Sequence, residues 1–275
     1  MNKVEAIFHN KKPVIGMVHL RPLPGSPLYD PTVMDMDKIL DIAVEEAKVL
    51  EDAGVDGVQV ENMWDTPYQV ADDISFDTVA ALAVGVKTVR ENVSIPIGVE
   101  CHMNAADAAL SCAVAGDATW IRVFEYCNAF ISQSGYIDAI GGKISRQRHN
   151  LRADDIVFLC DINVKHGSHF IIHDRSVEEQ AMDIEAQGGD AVIVTGFDTG
   201  IPPTTERIIS CKKAVKLPIF IGSGLNLSNV SELLGVADGA IVGSGFKIDG
   251  CWKNPVDYER TRNFMKQVED LRKGL

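Results

Sequence analysis

Two kinds of short apolar segment alternate along this chain, and the alternation narrows its fold more than any composition does. One kind comprises KKPVIGMVH, SIPIGVECH, DDIVFLCD and KLPIFIGSG, mostly introduced by proline. The other comprises AGVDGVQVEN, AGDATWIRVF, GGDAVIVTG and VADGAIVGSG, each entered through a Gly/Ala/Asp turn. All eight are short, rich in Val and Ile, and closed by polar or glycine residues, as buried parallel strands are. Helical patterns fill most gaps, from MDKILDIAVEEAKVLEDAG early in the chain to VDYERTRNFMKQVEDLRK at its end. Ser75 is placed to cap one helix at its start and Gly188 to close another. Eight strands with intervening helices imply an α/β fold, a (β/α)8 TIM barrel occupying residues 1–275 as one domain. The length of 275 residues suits the roughly 250 usual for that fold. An open doubly wound sheet fits less well, because the odd/even alternation runs unbroken to the eighth strand. Cys127 to Leu151 is the irregular unit, reading as a loop and then a short helix, GKISRQRHNL.

Composition removes several function classes. A net charge of −13 with no basic patch argues against a nucleic-acid partner. No apolar run approaches the roughly 18 residues of a membrane span, and MNKVEAIFHNKKP lacks a signal-peptide core. The expectation is a cytoplasmic protein without a transmembrane segment, with homo-oligomers neither required nor excluded. The 6 cysteines show no CxxC spacing, so reduced thiols are expected over a disulfide framework or a zinc site.

In a barrel, alternate strand residues face the interior, and the C-terminal strand ends form the mouth. The stretch IPIGVECHMN then turns Gly98, Glu100 and His102 to one face. His19 follows in phase on the first strand, Gln59 and Glu61 on the second, and Arg122 on the fourth. Asp161 ends the fifth strand and Thr195 the sixth. A lone buried histidine is usually a satisfied core residue. Several ionisable groups at one end are costly to bury without a ligand, and imply a polar mouth.

Two glycine-rich turns, Gly222-Ser223-Gly224 and Gly243-Ser244-Gly245, follow the last two strands. Turns in those places commonly hold phosphate in such barrels: glycine admits close backbone approach and the N–H groups point at the anion. One such turn could be an ordinary connection; the pair implies a phosphorylated small-molecule ligand. Asn226 to Leu234 supplies a helix start nearby. The loop TGFDTGIPPTTE offers Thr195, Gly196, Thr199 and Gly200 to the same pocket.

The motifs GMVHLRPLPGSP, DINVKH, TGFDTGIPP, GSGLNLSNV and ADGAIVGSGFKIDG resemble the BtpA family, which includes SgcQ-like proteins, over nearly the whole chain. The resemblance implies a ribulose-phosphate-binding-barrel-like fold. It also brings an association with photosystem I biogenesis or stability, although related proteins occur in organisms without photosynthesis. His169 and His173 in HGSHFIIHD depart from the family's loop.

Two functional readings follow. In the first, an enzyme holds the phosphate on the twin turns, beside His19. Glu61 lies near the reacting centre. Glu100 or Asp161 is the general base, His102 a proton shuttle, and Arg122 a clamp or oxyanion stabiliser. Lys165 is either a Schiff-base amine or, more simply, a cation paired with an acid. Aldolase, isomerase, epimerase and hydrolase chemistry all remain open. In the second reading, the protein is a non-catalytic assembly factor using the stiff loop RPLPGSPLYDPT, which would equally serve as a lid. For a divalent metal there are two candidate sets: His166, His169 and His173 on one loop, or Glu61, Glu100 and His102 at strand ends. FMN is a weaker candidate cofactor, and without GxGxxG after a strand a nicotinamide is not expected.

Overall fold

A computed structural model describes residues 2–196 and 200–275. Eight parallel strands close into a barrel: β1 (Val14–His19), β2 (Gly57–Glu61), β3 (Ile97–Glu100), β4 (Trp120–Val123), β5 (Val157–Ile162), β6 (Ala191–Val194), β7 (Ile219–Ile221) and β8 (Gly239–Val242). Each strand neighbours the next in sequence and β8 pairs with β1. The intervening helices are α1 (Met36–Asp52), α2 (Phe76–Asn92), α3 (Ala106–Gly116), α4 (Gly141–Asn150), α5 (Val177–Gln187), α6 (Thr205–Ala214) and α7 (Val230–Val236), and α8 (Tyr258–Lys273) follows β8. The open-sheet alternative is thereby excluded.

The two strand signatures have a common cause at the closed end of the barrel. Aspartates entering even-numbered strands accept N–H groups from the first or second residue of odd-numbered ones. Asp56 takes Val14 N–H at 2.8 Å, Asp190 takes Phe158 N–H at 2.9 Å, and Asp238 takes Ile219 N–H at 3.0 Å. The prolines before odd strands lack an N–H to orphan, while their carbonyls accept from a neighbouring strand, as Pro96 does from Val58 at 3.1 Å. Odd and even strands therefore carry complementary halves of one edge device.

Inward residues such as Ile15, Met17, Trp120, Leu159 and Phe220 fill the barrel. A short N-terminal helix, Lys3–Ile7, adds Val4 and Phe8 to this core, with the Phe8 and Trp120 rings 5.4 Å apart. Outward residues, among them Val58, Val60, Ile121 and Val192, pack under the helices. The caps work as their residue types dictate: Ser75 accepts Thr78 N–H, and Gly188 closes α5 in the left-handed conformation at φ 87°.

The irregular unit after β4 differs from its reading as a loop. Phe130–Ser132 and Gly135–Ile137 form an antiparallel hairpin, which Gly167–Ser168 extends into a three-stranded sheet. The pattern FISQSGYID carries a short hairpin signal, alternation around a Ser-Gly turn, too brief to rank above a loop. Among the described residues, no helix is long and apolar enough to cross a membrane.

Candidate functional site

Strand register builds the site. His19 lies opposite Glu61, and Glu61 opposite Glu100, so these side chains enter the mouth at one height. On the next strand, Arg122 donates two hydrogen bonds of 2.8 Å to the carboxylate of Asp161 on β5. Its third nitrogen, Nη1, stands 3.7 Å from Glu100 Oε2. Glycine in the middle of β3 is what admits this arrangement. A Cβ at Gly98 would lie 2.0 Å from the Trp120 indole, which occupies that space and donates to Gln59 Oε1 at 3.1 Å. With its oxygen thus engaged, the Gln59 amide turns its NH2 to Glu100 Oε2 at 3.3 Å.

The imidazoles complete the cluster. His19 Nε2 is 3.2 Å from Glu61 Oε1, and its Nδ1 is 3.4 Å from the Trp252 carbonyl oxygen. His102 lies between the two glutamates and stacks on Tyr68, ring centroids 4.5 Å apart. Its backbone N–H donates to Asn62 Oδ1 at 2.9 Å, which fixes the chain just beyond β3.

These contacts set the charge states. Burial raises the Glu61 carboxyl, but the imidazoles of His102 and His19 outweigh it and hold the group well below the usual range. Glu100 moves the other way: burial and the neighbouring Glu61 charge outweigh Arg122 and hold it well above. Burial, reinforced by Arg122, lowers the Lys165 ammonium.

A cavity of about 390 Å³ joins this cluster to the glycine turns. Its wall includes His19, Glu61, Glu100, His102, Arg122 and Lys165. Gly222 to Gly224 and Gly243 to Gly245 line it as well, a Cβ at Gly222 falling 3.2 Å from Arg122 Nη2 and one at Gly243 3.7 Å from His19 Nε2. Met63, Tyr68, Phe124 and Trp252 add apolar surface. Among the described residues, no acceptor receives the backbone N–H of Ser223, Gly224, Ser244 or Gly245. Gly224 has φ +80° and its backbone passes so close to Pro202 that a Cβ would sit 2.2 Å from the proline nitrogen, so only glycine fits there.

Other expected residues stand elsewhere. Asp161 lies beneath Arg122 and off the cavity wall. Thr195, Gly196 and Gly200 are also outside it: Thr195 Oγ1 donates to the Asn163 carbonyl at 3.2 Å, and Gly196 packs against the Ile201 backbone. Gly200 N–H donates to Ser223 Oγ at 3.3 Å, while Thr199 falls outside the described residues. The simple pairing expected for Lys165 is absent among the described residues, where no carboxylate comes within 4.0 Å of its ammonium. The loop histidines do not converge. His169 contacts the Val164 carbonyl and stacks on Phe130, whereas His173 contacts the Phe170 carbonyl and stacks on that ring. The helix after the first glycine turn begins only at Val230.

Sequence reading missed Tyr68, Trp252 and Glu125. The first two come from loops, where no periodicity announces direction. Glu125 follows β4 and is buried with Oε2 unpartnered; burial and the Asp161 charge push its carboxyl up to about 8.

The comparisons with known proteins agree on the architecture. The BtpA family profile matches residues 10–270. An uncharacterized protein of Thermococcus kodakarensis is 39% identical, with 96% of this chain and 98% of the relative covered. The photosystem I biogenesis protein BtpA of a Synechocystis strain is 31% identical, with 98% and 91% covered. Among solved structures, wild-type GGGPS from Thermoplasma volcanium superposes with a TM-score of 0.60 at 15% identity, over 98% of this chain and 96% of that one. At that identity the likeness speaks for the barrel alone.

Proposed function

The chain belongs to the BtpA family, and from that premise we propose that it is an enzyme acting on a phosphorylated small molecule, a sugar or nucleoside phosphate. One observation carries the reading: a single cavity is lined both by glycine-turn backbone N–H groups that no acceptor among the described residues receives and by a buried acid–imidazole cluster. Its volume of about 390 Å³ falls in the range of small-ligand sites. Phosphate would lie against Ser223, Gly224, Ser244 and Gly245, with Lys165 adding positive charge. The reacting end would lie over Glu100 and His102. Glu100, kept protonatable by burial and by Glu61, suits proton transfer, the step shared by isomerisation, epimerisation, retro-aldol cleavage and hydrolysis. Arg122, anchored by Asp161, would face negative charge developing on the substrate.

The test is a thermal-shift screen of the purified protein with inorganic phosphate, pentose phosphates and nucleoside monophosphates. A ligand at a hundred times its dissociation constant contributes about 2.7 kcal/mol, a shift of several degrees. At least one phosphate should raise the melting temperature saturably, and Gly224→Ala should abolish that response. A flat response across the panel would remove the reading.

A second reading, an assembly factor, is favoured by the name of the Synechocystis relative and by Leu28 and Val33, exposed on the loop after β1. It calls for recovery of a membrane complex in a pull-down together with silence in the thermal screen. A buried cluster of ionisable groups has no use in that role.

A further inference from the structure

We propose that Glu61, Glu100 and His102 bind a divalent transition-metal ion, Mn²⁺ or Zn²⁺. Glu61 and Glu100 are the last residues of adjacent strands and stand directly opposite in register. His102 follows two residues after Glu100. One donor atom from each lies within 4.8 Å of the other two, the one such grouping of three among the described residues.

The hydrogen bonding of the cluster is incomplete among the described residues. His102 is only 7% exposed, yet among the described residues neither ring nitrogen has a hydrogen-bond partner, and Glu100 Oε1 has none either. The contacts among them, 3.6 Å from His102 Nδ1 to Glu100 Oε1 and 3.9 Å from His102 Nε2 to Glu61 Oε1, exceed hydrogen-bond length. Buried polar atoms are nearly always paired, so an unpartnered imidazole beside an unpartnered carboxylate oxygen calls for a partner, and an ion would take one ring nitrogen of His102 together with the carboxylates.

Charge points the same way. The guanidinium of Arg122 is committed to Asp161 through two 2.8 Å bonds and only approaches Glu100 at 3.7 Å. Among the described residues, neither glutamate has a hydrogen-bonded Lys or Arg of its own, and a cation between them would compensate their charge when both are ionised.

The surroundings orient the donors as second shells of metal sites do. His19 Nε2 stands 3.2 Å from Glu61 Oε1, the oxygen nearest His102, and its other nitrogen is on the Trp252 carbonyl. Gln59, oriented by Trp120, takes Glu100 Oε2 and leaves Oε1 turned to His102. Two carboxylates and one imidazole form a mixed O/N set suited to Mn²⁺ or Zn²⁺. Three protein donors leave positions open toward the cavity, as catalytic sites require. With an ion bound, Glu61, Glu100 and His102 would act as its ligands rather than as proton-transfer groups, and the ion would polarise a substrate oxygen in their place.

The inference does not depend on a phosphate ligand, because ion binding is read on the bare protein. Chelator-treated protein is titrated with Mn²⁺, followed by electron paramagnetic resonance, and with Zn²⁺, followed by calorimetry. Saturable binding of about one ion per chain is expected, weakened at least about tenfold in Glu61→Gln and in His102→Gln. Glu125→Gln, a buried carboxylate outside the cluster, should bind as the unaltered protein does. Circular dichroism establishes that each variant is folded, and Glu61→Gln preserves side-chain shape should His102→Gln unfold. Absence of saturable Mn²⁺ and Zn²⁺ binding by the folded protein overturns the proposal. So does binding that a folded Glu61→Gln leaves unchanged, which would put the ion elsewhere. Either result leaves the phosphate screen to be judged on its own.

Discussion

Replacing Glu125 by glutamine is expected to stabilise the protein, and the gain should grow with pH. The side chain is 1% exposed, and burial together with the Asp161 charge lifts its carboxyl from 4.5 to about 8. A group with a raised folded-state value binds its proton more tightly when folded. The stability it contributes is therefore complete below about pH 4.5 and is lost as pH rises through about 8. Each unit of difference is worth about 1.4 kcal/mol, so the full interval amounts to about 5 kcal/mol as an upper limit, of which about 3 kcal/mol has gone by pH 7. Glutamine keeps the shape and carries no proton, so the loss disappears. Urea unfolding of both proteins at several pH values between 5 and 9 measures it. The midpoints should nearly coincide at pH 5 and diverge steadily, with the variant the more stable. A pH-independent gap, or a variant less stable at pH 9, would refute the claim that a buried carboxyl is forced to ionise there.

Two further substitutions test the packing and the charge around the site. Gly98→Ala drives a methyl to 2.0 Å from the Trp120 ring and should destabilise by about 1–3 kcal/mol or more, read as a lower melting temperature; an unchanged one would mean that the indole does not fill that space. Arg122→Met strands Asp161 as a buried unpaired carboxylate at a cost of about 3–5 kcal/mol in chemical denaturation. Adding Asp161→Asn should recover much of that loss, and a double variant no more stable than the single one would show that the pair is not what matters.

The amino-acid sequence by itself determined the architecture: eight Val- and Ile-rich strands, their odd/even entry signatures, and the end of the barrel at which ionisable residues gather. Period-2 alternation is a local property, so Gly98, Glu100 and His102 could be assigned one face from IPIGVECHMN alone. Twin glycine turns after the last two strands were legible for a similar reason, since they occupy corresponding positions in a repeating unit. The hairpin over Phe130–Ile137 and the cavity walls from Tyr68 and Trp252 were not, because loop direction depends on contacts between distant segments. Only the tertiary structure decided which ionisable groups meet. Barrel closure and strand register bring Glu61 beside Glu100, commit Arg122 to Asp161, and leave the His102 ring between two glutamates with no hydrogen bond to either ring nitrogen among the described residues. Such pairings depend on distances of a few ångströms across neighbouring strands, which only the closed, registered barrel sets.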